Sequence, residues 1–169
     1  MSNLILIGFM GCGKSSIGRF MSEKYKFTLI DTDSYIEEQQ KCTISKIFDE
    51  KGEEYFRQLE TQCLQELINS SVNNMIIAVG GGLPMREENR ELLHKLGKIV
   101  YLRAEIDTLV KRLKGDNTRP LIQGGELRQK IEKLFNLRQD TYEKLADLTV
   151  DTDGRSYQQI TAAIRKELL

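Results

Sequence analysis

The sequence is poor in the residue types that build metal clusters and disulfide frameworks. Its 169 residues include a single histidine, His94, and three cysteines, Cys12, Cys42 and Cys63, none of which form a C-x-x-C pair. Zinc clusters use closely spaced Cys and His ligands, and disulfide frameworks use an even set of cysteines. Neither kind of site is indicated, so any metal that serves the chemistry is expected to arrive with a nucleotide.

The sequence also lacks an excess of charge of either sign and a long apolar run. Lys and Arg total 25, as do Asp and Glu, so the net charge is zero and no broad basic surface for nucleic acid or an anionic membrane is expected. No segment approaches the ~20 apolar residues of a membrane span, and the first residues are too polar for a signal peptide. We therefore expect a cytoplasmic protein, folded as one domain over residues 1–169.

A glycine-rich loop lies between a short apolar run and a helical pattern near the start of the chain. Residues 8–15 read GFMGCGKS and fit G-x-x-x-x-G-K-[ST] at every fixed position. Glycines let successive backbone N–H groups face an anion, Lys14 adds a positive charge, and Ser15 offers a hydroxyl to Mg²⁺. A chance glycine-rich turn would lack both flanking elements. The motif therefore predicts binding of a nucleoside triphosphate.

Short apolar runs alternate along the chain with segments of helical spacing. The runs occupy residues 4–7, 28–30, 75–79, 99–102 and 148–150. Continuous apolar character indicates strands that are buried on both faces. The pattern predicts an α/β fold, a three-layer sandwich in which helices cover both faces of a five-stranded parallel sheet. Ligands of such sheets bind at the carboxyl ends of the strands.

Two carboxylates follow the second apolar run in the sequence Asp31-Thr32-Asp33. Strand alternation would send both to the same side, near the phosphate-binding edge. Asp31 could then hold Mg²⁺ together with Ser15. Asp33 could accept a hydrogen bond from an attacking hydroxyl and take up its proton.

Other features predict that a second half of the site binds the molecule that accepts the phosphate, called the acceptor. Helical patterns at residues 43–48 and 53–68, separated by Gly52, form an insertion between the second and third strands that carries Arg57. The triplet Gly80, Gly81 and Gly82 at the end of the third strand indicates close approach of a ligand. Arg138 lies on the apolar face of a later helix, which argues for a buried partner. The guanidinium groups of Arg57 and Arg138 each suit a planar anion such as a carboxylate, and a phosphate acceptor also needs a hydroxyl group. A small hydroxy acid is therefore the predicted acceptor.

A polar segment with glycines at both ends, residues 114–125, is predicted to be a lid. It carries Arg119 immediately before Pro120, a placement that an ordinary surface loop does not explain. Lys14 and Arg119 would stabilise the charge that moves during phosphoryl transfer. Cys12 leaves two readings open: a thiol that reacts with thiol reagents and is protected by MgATP, or a small side chain that fills space.

These features together resemble the shikimate kinase family. The residues that carry the resemblance run from about 4 to 150: residues 8–16, Asp31-Thr32-Asp33, Phe56-Arg57 with Glu60, Gly80-Gly81-Gly82, Arg119-Pro120-Leu121, and Arg138 with Tyr142. The resemblance implies a small P-loop kinase of the nucleoside-monophosphate-kinase type, with a helical substrate lobe at about residues 33–62. It also implies transfer of the γ-phosphate of MgATP to the 3-hydroxyl of shikimate, in the pathway to chorismate and aromatic amino acids.

The resemblance also implies roles for individual residues. Shikimate would be bound by Asp33, Arg57, Arg138 and the glycine triplet, chiefly Gly81. The nucleotide would be bound by Gly11, Cys12, Gly13, Lys14, Ser15, Ser16 and Arg119, with Arg112 stacked on adenine and Arg155 near it. Lys14, Asp33 and Arg119 would be catalytic, and Mg²⁺ would be held at Ser15. The expected partners are ATP or ADP and shikimate, and the expected state is a monomer.

The sequence departs from the family pattern at position 12, where Ser or Ala is usual, and at position 16, where Thr is commoner. Neither change removes a needed group, because backbone N–H groups do most of the binding there. The chain has no Walker B run ending in Asp after the third strand, an absence that the family shares.

Two kinds of alternative function stay open. One is a gluconate or nucleoside monophosphate kinase, and the other is a GTPase-type switch or a non-catalytic nucleotide-binding module. The chain lacks the N/T-K-x-D motif of the switch class.

Overall fold

The computed structural model describes residues 3–71 and 73–169, and these residues form a parallel sheet with helices on both sides. Within them the strands are β1 (Asn3–Ile7), β2 (Thr28–Asp31), β3 (Met75–Ala78), β4 (Gly97–Arg103) and β5 (Leu148–Asp151). The helices are α1 (Lys14–Tyr25), α2 (Thr32–Gln40), α3 (Ile44–Asn69), α4 (Glu87–Leu96), α5 (Ile106–Leu113), α6 (Leu127–Leu145) and α7 (Tyr157–Leu168). Short 3₁₀ turns lie at Leu83–Met85 and Pro120–Ile122.

The sheet has the order β2-β3-β1-β4-β5, and the pairing is parallel throughout. Every residue of β1 and β3 is buried, as expected for strands covered on both faces. Because β1 and β3 are neighbours, the loops that follow them lie side by side at the carboxyl edge. The predicted α/β fold with five parallel strands is confirmed.

The end of β2 differs from the prediction. Asp31 is the last residue of the strand, and Thr32 already begins α2. The Asp31 carboxylate caps this helix, since its Oδ1 accepts hydrogen bonds from the backbone N–H groups of Asp33 at 3.1 Å and Ser34 at 3.3 Å. Strand alternation is therefore the wrong reason for pairing Asp31 with Asp33. They lie together because a capping residue is followed by the first turn of its helix.

The helical insertion between β2 and β3 consists of α2 and a long α3 that bends at Gly52. Gly52 has φ 85° and ψ 169°, a conformation that is essentially restricted to glycine. The bend divides α3 into the two segments that the sequence predicts, on either side of position 52. The second segment buries Phe56 and Glu60, and the first buries Ile47. None of the helices in the described part of the chain has the length and apolar content needed to cross a bilayer.

Candidate active site

The loop between β1 and α1 forms the phosphate-binding end of the site. α1 begins at Lys14, so the free backbone N–H groups of its first turn face the loop. The Lys14 Nζ donates to the carbonyl of Gly8 at 2.8 Å and to that of Phe9 at 3.0 Å. These bonds fold the ammonium group back over its own loop. Free N–H groups and a nearby ammonium group together suit this loop to bind an anion such as phosphate.

Ser15 and Asp31 meet beside this loop. The Ser15 Oγ donates to Asp31 Oδ2 at 2.5 Å, which brings a hydroxyl from α1 to a carboxylate at the end of β2. Across residues 3–71 and 73–169, no group of three or more His, Cys, Asp or Glu side chains could hold a metal by itself. Mg²⁺ in kinases is held by one or two side-chain oxygens together with water and phosphate oxygens, so this pair fits that ion.

A cavity of about 1130 Å³ opens over the phosphate loop and along the carboxyl edge of the sheet. The predicted nucleotide contacts all line it: Gly11, Cys12, Gly13, Lys14, Ser15, Ser16, Arg112, Arg119 and Arg155. Arg112 reaches the loop directly, because its Nη1 donates to the Gly11 carbonyl at 3.0 Å. Tyr157, at the start of α7, also lines this cavity. Sequence reasoning missed Tyr157, and no motif marks it.

A second, smaller cavity adjoins the first. Asp33, Gly80, Gly81 and Arg119 line both. Its remaining walls combine apolar side chains with charged ones: Met10, Phe48, Phe56, Pro120 and Leu121, against Arg57, Glu60 and Arg138. The acceptor residues expected from the sequence are therefore gathered at one place, next to the phosphate loop.

Arg57 is held in this cavity by acidic neighbours on α3. Its Nη1 lies 2.7 Å from Glu60 Oε2, and its Nη2 lies 3.3 Å from Glu53 Oε1. Burial opposes the charge on Arg57, but Glu60 and Glu53 outweigh it and raise the Arg57 pKa. Sequence reasoning did not select Glu60 as a site residue, although its spacing of three from Arg57 on a helix is a usable signal.

Glu60 is fully buried, and burial raises its pKa to about 7 despite the opposing charge of Arg57. Its Oε1 has no hydrogen-bond partner within the described residues. That atom lies close to Gly80, since a Cβ added there would be 2.9 Å from it. Glu60 is thus a buried acid with one oxygen facing the glycine triplet.

Asp33 lies where the two cavities join. Its Oδ2 is 3.7 Å from Arg119 Nη1, while its Oδ1 has no hydrogen-bond partner in the described part of the chain. Burial raises the pKa of Asp33, as does the charge of Asp31, and Arg119 and Lys14 lower it. A carboxylate with a raised pKa beside the phosphate loop is suited to accept a proton from a hydroxyl group.

Arg138 approaches the glycine triplet from α6. It is 5% exposed, and its Nη1 has no hydrogen-bond partner within residues 3–71 and 73–169. That nitrogen lies 3.3 Å from the position of a Cβ added to Gly81, and the guanidinium carbon lies 5.8 Å from the centre of the Phe9 ring. The sequence-based expectation of an arginine buried on an apolar face is confirmed.

Cys12 is 1% exposed, with its sulfur packed against Gly8 and 3.8 Å from Lys14 Nζ. In this conformation the Cys12 side chain offers almost no surface to a thiol reagent. Of the two readings of Cys12, the structure favours the small side chain that fills space. A position near a helix N-terminus does not by itself expose the thiol, so reaction of Cys12 with a thiol reagent would require the loop to open.

Comparisons with known proteins agree with this geometry. The family model described as shikimate kinase matches residues 10–169. The shikimate kinase of Dictyoglomus turgidum is 40% identical over 170 residues, covering 99% of this chain and 97% of that protein. The shikimate kinase of Caldicellulosiruptor saccharolyticus is 42% identical over 153 residues, covering 90% and 87% respectively.

Solved structures give the same result for the fold. The shikimate kinase of Acinetobacter baumannii in complex with shikimate superposes with a TM-score of 0.93 at 33% identity, covering 98% of this chain and 92% of that one. The Aquifex aeolicus shikimate kinase superposes with a TM-score of 0.83 at 30% identity, covering 98% and 95%. Since family model, relatives and structures agree over almost the whole length, the chain belongs to the shikimate kinase family of ATP-dependent phosphotransferases.

Proposed function

We propose that this protein transfers the γ-phosphate of MgATP to the 3-hydroxyl of shikimate, giving shikimate 3-phosphate and ADP for aromatic amino-acid biosynthesis. The observation that carries the proposal is the junction of the two cavities at Asp33, Gly80, Gly81 and Arg119. A phosphate donor in the larger cavity and a hydroxy acid in the smaller one would meet there. Phosphoryl transfer requires such in-line placement more than it requires covalent help from the protein.

In the nucleotide half, backbone N–H groups of residues 11–16 bind the phosphates, and Lys14 and Arg119 stabilise the charge on the transferred group. Arg112 and Arg155 contact the base end of the nucleotide. Ser15 and Asp31 would hold Mg²⁺, which neutralises charge on the β- and γ-phosphates when it is bound. The Ser15–Asp31 contact supports this assignment, since it places two oxygen donors at the mouth of the loop.

In the acceptor half, Arg57 and Arg138 bind the carboxylate of shikimate, and the backbone of the glycine triplet binds its ring substituents. Asp33 accepts a hydrogen bond from the attacking hydroxyl and takes up its proton. The raised pKa of Asp33 supports this role, because a base whose pKa is closer to the working pH transfers protons more effectively.

Residues 1–169 would act as one P-loop kinase domain in which residues 114–125 close as a lid and exclude water. Arg119 already reaches from this segment to Asp33, at 3.7 Å. We expect the enzyme to be a monomer, which gel filtration can test. Because the phosphate donor is MgATP, we place the enzyme in the cytoplasm.

A coupled assay of ADP release tests the function directly. ATP and Mg²⁺ are supplied with shikimate, gluconate or AMP in separate reactions, and a reaction without acceptor measures background hydrolysis. We expect ADP release above background with shikimate alone. Release that depends on AMP or gluconate, or none with shikimate, would overturn the proposal. Chelation of Mg²⁺ with EDTA should abolish the shikimate-dependent signal, and excess Mg²⁺ should restore it.

A further inference from the structure

Tyr142 makes a long-range contact with the glycine triplet from outside both cavities. It lies on α6, one helical turn after Arg138, and is 0% exposed. Its hydroxyl donates a hydrogen bond to the carbonyl of Gly81, 61 residues away in sequence. A hydroxyl that reaches a ligand-binding backbone group from the protein interior controls how that group is oriented.

The hydrogen bond from Tyr142 holds the peptide between Gly81 and Gly82, which lies between Arg57 and Arg138. A Cβ added to Gly81 would be 3.3 Å from Arg138 Nη1, and one added to Gly82 would be 2.5 Å from Arg57 Nη1. In a trans peptide the C=O and N–H groups point in opposite directions. Because Tyr142 holds the Gly81 carbonyl toward the interior, the N–H of Gly82 points the other way, toward the cavity side.

The chemistry of Tyr142 suits a permanent donor. Burial raises the pKa of Tyr142, and the neighbouring Arg138 opposes that effect without cancelling it. Because an unperturbed tyrosine already titrates near pH 10, a raised pKa keeps this hydroxyl protonated at neutral pH. Arg138 shares the same face of α6, and its Nη1 has no hydrogen-bond partner within the described residues.

We propose that Tyr142 is a positioning residue for the acceptor: by holding the Gly81 carbonyl, it fixes the Gly81–Gly82 peptide between Arg57 and Arg138, in register for an acidic acceptor. Tyr142 does not touch the acceptor itself. The inference rests on the proposed function, because it takes the ligand of the smaller cavity to be a hydroxy acid.

Tyr101 on β4 provides a matched control. Its ring packs on that of Tyr142, with centroids 5.2 Å apart, and it is 1% exposed. Unlike that of Tyr142, its buried hydroxyl has no hydrogen-bond partner among residues 3–71 and 73–169. Tyr101→Phe and Tyr142→Phe therefore remove the same atom from adjacent buried rings, and only the second removes a bond to the glycine triplet.

Steady-state kinetics separate the two variants. Loss of one neutral hydrogen bond predicts that Tyr142→Phe raises the KM for shikimate about three- to tenfold, with kcat and the KM for MgATP little changed. Tyr101→Phe should leave all three at wild-type values. The rise in Tm that shikimate produces gives a second measure of binding, and it remains readable if a variant is destabilised.

The outcomes are distinct. An unchanged KM for shikimate in Tyr142→Phe contradicts the inference, as does an equal rise in the KM for MgATP or an equal effect of Tyr101→Phe, since each would indicate packing rather than positioning. If the wild type itself releases no ADP with shikimate, the proposed function is wrong, and the inference that rests on it is wrong as well. If the wild type is active on shikimate and Tyr142→Phe is not impaired, the inference alone fails.

Discussion

The nucleotide half and the acceptor half of the site satisfy their polar groups in different ways. In the nucleotide half, Lys14 donates to two carbonyls of its own loop and Arg112 to a third. In the acceptor half, three buried polar atoms have no partner within the described residues: Asp33 Oδ1, Glu60 Oε1 and Arg138 Nη1. In the nucleotide half, the Lys14 and Arg112 side chains are thus bonded to the loop itself, whereas the acceptor half keeps buried side-chain groups that a ligand can satisfy.

The difference bears on where specificity originates. Backbone N–H groups and a lysine recognise phosphate, which every nucleoside triphosphate carries. A buried guanidinium and a buried carboxyl oxygen left without partners disfavour any acceptor that cannot pair with them. We infer that the acceptor half selects its ligand through the cost of leaving these groups unsatisfied.

The largest effect is expected from breaking the nucleotide half at Lys14. Lys14→Met removes the cation that we propose to stabilise the transferred phosphate, and we expect kcat to fall on the order of 100- to 1,000-fold, as when one preorganised charge-stabilising donor is lost. Shikimate binding in the absence of ATP should persist, because no acceptor residue is altered. Coupled assays of ADP release and calorimetry with shikimate measure the two effects.

Lys24→Met serves as the control for this change. Lys24 lies in the last turn of α1, is exposed, and also carries a positive charge. Its loss should leave kcat close to that of the wild type. An equal fall in kcat for Lys24→Met would show that the charge of α1, rather than the position of Lys14, supports the reaction.

The next largest effect is expected from breaking the acceptor half at Arg138. Arg138→Ala removes a buried guanidinium, and we expect shikimate affinity to fall about tenfold to a hundredfold, corresponding to ~1.5 to 3 kcal/mol for a charge-assisted contact. ATP affinity without shikimate should be largely intact. Calorimetric titration with each ligand checks both statements.

Arg128 on the same helix offers a matched control. It is exposed and pairs with Asp107 and Glu132 at the surface. Arg128→Ala should leave both affinities unchanged, since surface pairs contribute little. A large loss of ATP affinity in Arg138→Ala would place Arg138 in the nucleotide half and contradict the division of the site.

The two halves also differ in how far the sequence predicts them. The phosphate loop could be identified because its function lies in contiguous residues with a fixed spacing, and the strands because buried parallel strands are continuously apolar. Both predictions are confirmed, the first by family membership and the second by the sheet. Arg138 could be selected as an acceptor residue from its place on the apolar face of a helix, and Arg57 from its place on the helical insertion beside Phe56, although their roles remain predictions.

What could not be predicted depends on contacts between distant segments. The bond from Tyr142 to Gly81 and the burial of Cys12 are set by tertiary packing, which no local pattern records. The prediction that extends the strand through Asp31-Thr32-Asp33 is wrong. An aspartate is a common helix cap, but the apolar strand just before it favours reading these residues as part of the strand.

A smaller effect is expected from the pH dependence of stability. Unfolded Glu60 titrates near its usual pKa, whereas folded Glu60 keeps its proton until about pH 7. The folded state binds more protons in that interval, so the free energy of unfolding should fall as pH rises through it. We expect a fall on the order of 1 to 2 kcal/mol from Glu60, which Glu60→Gln should abolish.

Urea unfolding of the ligand-free protein between about pH 5 and about pH 8 measures this effect. Arg57, Asp33 and Arg138 face Glu60 and are present in both proteins, so the difference between the two curves reports the titration of Glu60 together with its coupling to these neighbours. A difference that is constant with pH would show that Glu60 does not titrate in this range. A difference that grows in favour of the wild type as pH rises would reverse the sign and place the Glu60 pKa below its usual value.

The smallest effect is expected from thiol labelling, which tests whether the nucleotide half is as closed as the structure indicates. Cys42 is partly exposed in the turn between α2 and α3, whereas Cys12 and Cys63 are 1% and 2% exposed. A thiol reagent should therefore modify Cys42 in the folded enzyme with little loss of activity, and should modify Cys12 only on unfolding. Peptide mass mapping of labelled protein, with Cys42→Ser as the reference, identifies the site. Rapid inactivation of Cys42→Ser that MgATP prevents and that Cys12→Ser abolishes would show that the loop opens in solution and exposes Cys12, and would contradict a closed nucleotide half.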